Sequence, residues 1–383
     1  MSSLPQPTPE ALAHSAKLRE LILRDIEVQG GWIPFSRYME LALYAPGLGY
    51  YTAGAHKFGS AGDFVTAPEI SPLFGRTLAR QVAEIMAHSA PEVTELGAGS
   101  GRLACDMLLE LERLGQLPER YAILEVSADL RQRQQALLQE HAPHLAGLVS
   151  WLDELPDTIR GAVIGNEVLD ALPVHVVRWG DEEIVERGVT GSASGFEWQE
   201  RLPQNAELAE LAQRIDMPED SISEISLTAR GLTASLCQRL EQGALLLIDY
   251  GFGEREYYHP QRTRGTLMCH YRHRAHDDPF FLTGLQDITA HVDFTAIAES
   301  AVDSGAQLLG YTSQAHFLIN SGITELLQEV SPDNLSDYLP LSMQMQRLTS
   351  PAEMGELFKV IALGKGIEEL LSGFARGDMS RYL

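Results

Sequence analysis

Short apolar segments alternate with helix-like segments through most of the chain after residue 91. Glycine or a charged residue bounds each apolar segment, and the stretches between several of them carry apolar residues at helical spacing. The expected strands are 92–96, 120–126, 147–151, 161–166, 243–251, 306–313 and 357–366. Because short apolar runs separated by helices are typical of parallel strands buried on both faces, the pattern predicts a doubly wound α/β sheet.

The segments outside this alternation predict an N-terminal extension and insertions. Helical periodicity indicates a helix over 10–28 and a second one that starts near Pro34. Glycine, proline and aromatic residues then predict an irregular loop over 45–75, and such loops often carry function. We expect N-terminal helices and this irregular loop in 1–90 and an α/β domain in 91–383. Its expected insertions are 174–227 with hairpins, 252–290 as a polar loop, and 314–356 as helices.

Composition narrows the classes of protein to be considered. The three cysteines Cys105, Cys237 and Cys269 are odd in number and widely spaced, which disfavours a disulfide framework or a metal knuckle. No apolar stretch approaches the ~18 residues of a membrane span, and the start resembles no targeting segment, so we expect a cytoplasmic protein. The formal net charge of −24 disfavours nucleic acid as a partner.

A glycine-rich turn follows the first expected strand. Gly97, Gly99 and Gly101 stand at alternate positions in "ELGAGSGR", and each has a use: a tight bend, close approach of a ligand, and close helix packing. The dinucleotide fingerprint needs glycine where Arg102 stands, and no Gly-Lys-Ser/Thr follows for a phosphate-binding loop. The turn therefore suits a nucleoside that lacks a phosphate, such as S-adenosylmethionine.

Two glutamates support this interpretation. Glu125 lies at the end of the second strand, where its carboxylate would accept hydrogen bonds from both ribose hydroxyls. Glu95, two residues before Gly97, would help to hold the ligand's ammonium group. Together with the glycines and the alternating strands, these residues predict a cofactor site for S-adenosylmethionine.

Polar residues follow the fourth strand in "GNEVLDAL". The carboxyl ends of parallel strands form the ligand crevice, so we expect Asn166, Glu167 and Asp170 there. Methyl transfer depends on alignment, and a guanidinium acceptor needs carboxylates to grip its donors. Glu167 and Asp170, three positions apart on one helical face, would form such a clamp. Alternatively, Asn166 caps a short helix over "EVLDAL" and Asp170 is solvated.

These motifs resemble those of the MidA-type methyltransferases, which include mitochondrial complex I assembly factors that methylate an arginine on a complex I subunit. The resemblance covers most of the chain and rests on the segments 50–75, 95–102, 165–175, 246–251 and 278–297. It implies a seven-strand class I (Rossmann-like) methyltransferase fold and a lid formed by Gly62, Asp63, Thr66 and Glu69. It also brings His291, as a catalytic candidate, and Asp293 towards the crevice.

The expected function is methyl transfer from S-adenosylmethionine to an accessible protein arginine. Glu167, Asp170 and His291 are the catalytic candidates, and Asn166 and Thr66 join Glu95, Glu125 and the three glycines around the cofactor. The histidines 270, 273 and 276 alternate with arginines, so no metal is expected. Two alternatives stay open: an assembly chaperone that retains the cofactor fold without turnover, and a small-molecule methyltransferase.

Overall fold

The computed structural model describes residues 5–53, 65–192 and 195–383, and these residues form parts of two compact units. The N-terminal unit comprises Met1–Phe64, Leu169–Gly231 and Glu254–Val292. The core unit comprises Val65–Val168, Leu232–Gly253 and Asp293–Leu383. The domain division expected from the sequence stays a prediction. None of the helices formed by the described residues is both long and apolar enough to cross a membrane.

A mostly parallel sheet forms the centre of the core unit. Its seven main strands are β1 Glu92–Leu96, β2 Arg120–Leu124, β3 Val149–Leu152, β4 Ile159–Asn166, β5 Leu240–Phe252, β6 Gln307–Ser313 and β7 Phe358–Lys365. They lie side by side in the order β6-β7-β5-β4-β1-β2-β3. Strands β1 to β5 pair in parallel, whereas β7 is antiparallel to both β5 and β6. All seven strands expected from the sequence are therefore confirmed, with ends shifted by a few residues.

Helices connect these strands. The longer ones are Pro72–Ala87, Arg102–Arg113, Ala128–His141, Phe294–Asp303 and Leu335–Thr349, and Leu227–Arg239 precedes β5. Shorter helices are Ala67–Ile70, Gln314–Asn320, Ile323–Gln328 and Met354–Leu357, with 3-10 turns at Ala146–Leu148, Ser372–Phe374 and Ser380–Tyr382. Local capping explains several starts: the Ser71 hydroxyl accepts the Leu73 N–H at 3.2 Å, and Pro72 occupies the first turn. Helices thus begin within 45–75, which the sequence predicted to be irregular.

Apolar side chains from the sheet and the helices fill the core unit. Ile164 of β4, Leu246 of β5 and Val360 of β7 are fully buried in one cluster with helical residues such as Leu78 and Leu108. The buried carboxylate of Glu110 joins two of its helices, because it accepts a hydrogen bond from Arg76 of the helix Pro72–Ala87 at 2.9 Å. The core holds the carboxyl ends of the parallel strands at one edge of a rigid sheet.

The N-terminal unit contains helices and two antiparallel sheets. Its helices are Pro9–Val28, Phe35–Tyr44, Ala206–Arg214 and Glu254–Tyr257. One sheet contains Ile33–Pro34, His175–Trp179, Ile184–Ser192, Gly195–Arg201 and Ser221–Ile225, and the other contains Met268–Tyr271, Arg274–His276 and Asp287–Thr289. A two-residue strand, Val292–Asp293, spans the boundary between the units along the chain. The hairpins expected in the insertion 174–227 are confirmed, and they occupy residues 175–192 and 195–201.

Residues 252–290 are more ordered than the sequence indicated. The expected polar loop instead contains a helical turn and three short paired strands. Polar side chains hide this pairing from a search for apolar runs, while contacts such as the hydrogen bond from Tyr38 Oη to the Pro279 carbonyl, at 2.9 Å, fasten the segment to the unit's core. The segment is a built part of the N-terminal unit.

Candidate active site

Three parallel strands of the core unit end at the same edge, and the residue after each strand continues the hydrogen bonding. The N–H of Gly97, after β1, donates to the Leu124 carbonyl at 3.0 Å. The Glu125 N–H donates to Leu152 at 3.4 Å, and the Glu167 N–H donates to Ile248 at 2.8 Å. The parallel register therefore brings the glycine turn and these two glutamates, far apart in sequence, to one edge of the sheet.

The glycine turn adopts a left-handed backbone at each of its three glycines. Their φ angles are +59° at Gly97, +53° at Gly99 and +87° at Gly101, a region that residues with a Cβ rarely adopt. Gly101 caps the helix Arg102–Arg113, and a Cβ there would lie 3.0 Å from the Gln134 Cα. The close packing expected of Gly101 is thus packing against the helix Ala128–His141.

Glu125 is buried and oriented by hydrogen bonds on both carboxylate oxygens. Its Oε1 accepts the Ser127 N–H at 2.9 Å, and its Oε2 accepts from Gln134 Nε2 at 3.1 Å. Burial raises the pKa of Glu125, and these hydrogen bonds oppose the rise. A carboxylate fixed in this way has remaining lone pairs for the two hydroxyls of a ribose.

Glu95 lies deep in β1, with only 2% of its surface exposed. Its Oε2 accepts a hydrogen bond from Tyr121 Oη at 2.6 Å. Burial, with a smaller contribution from the charge of Glu125, raises the pKa of Glu95 to about 7. The carboxyl group can therefore lose its proton near neutral pH when a cation approaches, as its expected role beside an ammonium group requires.

A further carboxylate contacts the serine of the glycine turn. Ser100 Oγ donates a hydrogen bond to Glu69 Oε1, and the same hydroxyl accepts the Arg102 N–H at 3.3 Å. Thr66 caps the short helix Ala67–Ile70 through its backbone carbonyl, which accepts the Glu69 N–H at 3.0 Å. The other two expected lid residues, Gly62 and Asp63, lie outside the described residues.

Glu167 follows β4 in a left-handed conformation, with a φ of +53°. Its Oε1 accepts hydrogen bonds from Asn166 Nδ2 at 3.2 Å and from the Ala67 N–H at 3.3 Å. The backbone of 167–172 is a turn and not a helix, so the sequence was wrong to place Glu167 and Asp170 on one helical face. The left-handed φ of Glu167 ends the strand and excludes this residue from a right-handed helix.

The remaining candidates occupy separate positions. Asp170 belongs to the N-terminal unit and is buried, and its carbonyl accepts the Ala290 N–H at 3.0 Å. In the same unit, the backbone N–H of His291 donates a hydrogen bond to Thr266 Oγ1 at 3.0 Å. Asp293 caps the helix Phe294–Asp303 of the core unit, because its Oδ1 accepts the Thr295 N–H at 3.0 Å and the Ala296 N–H at 3.3 Å. A structural role thus explains Asp293.

The glycine turn, Glu95 and Glu125 lie at one edge of the sheet, which is called the cofactor edge below. Sequence reasoning missed two residues that contact this edge, Gln134 and Tyr121. Gln134 Nε2 donates to both Glu125 and the Gly99 carbonyl, while its Oε1 accepts from Trp151 Nε1 at 2.8 Å. In the sequence, Tyr121 does not differ from the other apolar residues of β2. Gln134 likewise does not differ from the other polar residues of its helix. No local pattern marks either residue, because both contacts depend on how neighbouring elements pack.

Comparison with known proteins identifies the class of this protein. A family model for S-adenosyl-L-methionine-dependent methyltransferases matches residues 77–312. The chain belongs to this family and is an S-adenosylmethionine-dependent methyltransferase. Its doubly wound fold is confirmed, and its residues fit the cofactor, since the buried carboxylates of Glu125 and Glu95 suit a ribose diol and an ammonium group.

Individual relatives resemble the chain over most of its length. A Drosophila melanogaster protein named "Protein arginine methyltransferase NDUFAF7 homolog, mitochondrial" is 30% identical, over 88% of this chain and 82% of its own. The Mus musculus protein arginine methyltransferase NDUFAF7 is 31% identical over 87% and 81%. A crystal structure of a COG1565 superfamily protein from Burkholderia thailandensis, bound to S-adenosyl-homocysteine, is 51% identical over 100% of both chains, with a TM-score of 0.97.

These relatives correct one expectation. The sequence predicted a cytoplasmic protein because no targeting segment was recognised, but the curated relatives are named as mitochondrial proteins. The expectation of a cytoplasmic location was therefore wrong. Composition and the character of the first residues do not carry this information.

Proposed function

We propose that the methyl acceptor is an arginine side chain on a protein, such as a subunit of respiratory complex I. The observation that carries the proposal is the fixed carboxylate of Glu167 at the cofactor edge of the core unit. Two hydrogen bonds hold its Oε1, and the strained backbone keeps the side chain beside the end of β4. A preorganised carboxylate suits a guanidinium, whose planar donors it can grip.

Each proposed role follows from the chemistry of the residue. Bound S-adenosylmethionine supplies the methyl group on a sulfonium, and one proton leaves the acceptor for each methyl group added. Glu167, with Asp170, orients the guanidinium, and His291 accepts the departing proton. Glu125, Glu95, Thr66 and the glycines 97, 99 and 101 hold the cofactor. The Oδ1 of Asn166 is buried and accepts no hydrogen bond from the described residues, so it is proposed to accept one from the cofactor.

Two observations support a protein acceptor over other classes. The relatives named protein arginine methyltransferases match this chain over 87% or more of its length. The net charge of −24 favours a cationic acceptor and opposes nucleic acid. Electrostatic attraction of this kind raises the association rate of a basic protein segment more than its final affinity.

Labelled methyl transfer to an extract from a strain that lacks the gene tests the proposal. We expect S-adenosylmethionine to label one or a few proteins, with the methyl group on arginine by mass spectrometry. Glu167→Gln should abolish labelling while its affinity for the cofactor stays within about twofold, because an amide cannot grip a guanidinium as a carboxylate does. Glu119→Gln, a change at an exposed glutamate before β2, is the matched control.

Three outcomes would contradict the proposal. Label confined to small molecules would indicate a small-molecule methyltransferase, and cofactor binding without any label would indicate a chaperone. Normal labelling by Glu167→Gln would remove Glu167 from the acceptor site.

A further inference from the structure

A buried carboxylate in the N-terminal unit organises the segment that precedes His291. Glu224 lies on the strand Ser221–Ile225 with 2% of its surface exposed. Its Oε2 accepts hydrogen bonds from the Thr266 N–H at 2.9 Å and from Thr266 Oγ1 at 2.8 Å. Its Oε1 accepts the Leu267 N–H at 3.2 Å. Both oxygens of the carboxylate are thus committed to one short stretch of chain.

The backbone at 265 passes unusually close to this carboxylate. Gly265 has a φ of +71°, and a Cβ there would lie 2.1 Å from Glu224 Oε1. Only glycine permits both the conformation and the approach. Two tyrosines add contacts from the end of the helix Glu254–Tyr257 and the residue after it. Tyr257 Oη lies 3.4 Å from Glu224 Oε2, and Tyr258 Oη lies 3.1 Å from the Glu224 carbonyl. The stretch therefore has one well-defined position around Glu224.

Thr266 transmits this position to His291. A threonine hydroxyl has one proton, and that of Thr266 is donated to Glu224, so only its lone pairs remain for other partners. One of them accepts the His291 N–H at 3.0 Å. Burial raises the pKa of Glu224, and the hydrogen bonds from Thr266 and Leu267 oppose the rise. The chain of contacts runs from a buried strand, through one hydroxyl, to the backbone of the proposed proton acceptor.

We propose that Glu224 and Thr266 are positioning residues for His291 in methyl transfer. This inference rests on the proposed role of His291 as proton acceptor. Proton transfer requires the imidazole to lie within hydrogen-bond reach of its partner, so a small shift of the His291 backbone slows the step without affecting the cofactor. Neither positioning residue is proposed to contact the reacting groups. They act through the geometry of His291 alone.

Matched substitutions at Thr266 and Thr289 test the inference. Thr266→Val keeps the shape of the side chain but removes the hydroxyl, whereas Thr266→Ser keeps the hydroxyl. Thr289, two residues before His291, is 3% exposed, and its hydroxyl has no hydrogen-bond partner among the described residues. Thr289→Val therefore applies the same chemical change, at a more deeply buried position than the half-buried Thr266, without touching the proposed relay.

We expect Thr266→Val to lower kcat for methyl transfer by about tenfold, with the Kd for S-adenosylmethionine changed less than about twofold. Thr266→Ser and Thr289→Val should stay near the wild-type rate. The dependence of kcat on pH separates positioning from a loss of folded protein. If His291 accepts the proton, kcat rises with pH in the wild type and His291→Ala abolishes this rise. If Thr266→Val misplaces His291, the rise should be weaker in that variant. Partial unfolding would instead lower kcat by the same factor at every pH.

Several results would overturn the inference. Equal rates for Thr266→Val and Thr289→Val, with His291→Ala impaired, would show that the hydroxyl positions nothing. A wild-type rate in His291→Ala would remove the step that the relay is proposed to serve. If the wild-type protein labels no arginine, the proposed function fails, and the same comparison on whichever acceptor is labelled still decides the role of Thr266.

Discussion

Gln134 Nε2 lies 3.1 Å from Glu125 Oε2 and donates a hydrogen bond to it. The same amide nitrogen donates to the Gly99 carbonyl at 3.0 Å, so one side chain links the glycine turn to the acid after β2. The glycine turn and Glu125 therefore both depend on a residue of a third element, the helix Ala128–His141. These contacts fix the orientation of Glu125.

The first prediction concerns this link. Gln134→Leu removes both hydrogen bonds and leaves Glu125 held by the Ser127 N–H alone among these contacts. We expect the Kd for S-adenosylmethionine to rise about tenfold, because the lost hydrogen bond to the Glu125 carboxyl group contributes about 1.5 kcal/mol. Isothermal titration measures the change. Gln135→Leu, on the exposed side of the same helix, is the control and should bind normally; equal affinities in the two variants would contradict the prediction.

The second prediction concerns the pH dependence of stability through Glu95. Its pKa is about 7 in the folded protein and near 4.5 when exposed, so the folded state holds the extra proton between these values. The contribution of Glu95 to the free energy of unfolding is therefore largest below about pH 4.5. It declines by about 3 kcal/mol in total as the pH rises to 7. Urea unfolding at pH 5 and pH 8 measures the decline.

Glu95→Gln supplies the comparison for that measurement. The amide does not titrate, so the variant should lose less stability than wild type between pH 5 and pH 8. The difference between the two proteins isolates Glu95 from all other titrating groups. Parallel pH dependences would show that Glu95 ionises normally in the folded state.

The third prediction separates packing from backbone strain at Gly101. An alanine at position 101 would have to adopt the left-handed φ of +87°, and its Cβ would lie 3.0 Å from the Gln134 Cα. Alanine at Gly115 meets a φ of +69° but no atom within 4 Å. We expect Gly115→Ala to cost about 1 kcal/mol of unfolding free energy, and Gly101→Ala about 1–3 kcal/mol more. Equal losses would mean that helix Ala128–His141 yields to the added methyl group.

The fourth prediction tests the strain at Glu167. Alanine and glycine both remove the carboxylate, and both should abolish methyl transfer. Glycine normally makes a protein less stable than alanine, but a φ of +53° reverses that order. We expect Glu167→Gly to exceed Glu167→Ala in unfolding free energy by about 1 kcal/mol. The opposite order in denaturant unfolding would show that the left-handed turn relaxes without the side chain.

Much of the fold could be predicted from the sequence because its signals are local. A short apolar run bounded by glycine indicates a buried strand whatever its neighbours are, so the sequence alone predicts β1 and β4. The glycines at 97, 99 and 101 indicate their backbone conformation directly, because few other residues adopt it. Glu125 was found by its position after a strand. The family resemblance added candidates, such as His291, that no local pattern marks.

The sequence by itself thus determined the alternating sheet, the glycine turn and the acids at the strand ends, since each depends on the properties of neighbouring residues. The tertiary structure decided that Gln134 orients Glu125, that Tyr121 contacts Glu95, and that 167–172 is a turn. These contacts join residues that are distant along the chain or on different elements. The left-handed φ of +53° at Glu167 overrides the helical spacing of "EVLDAL", because a right-handed helix cannot include a residue in that conformation.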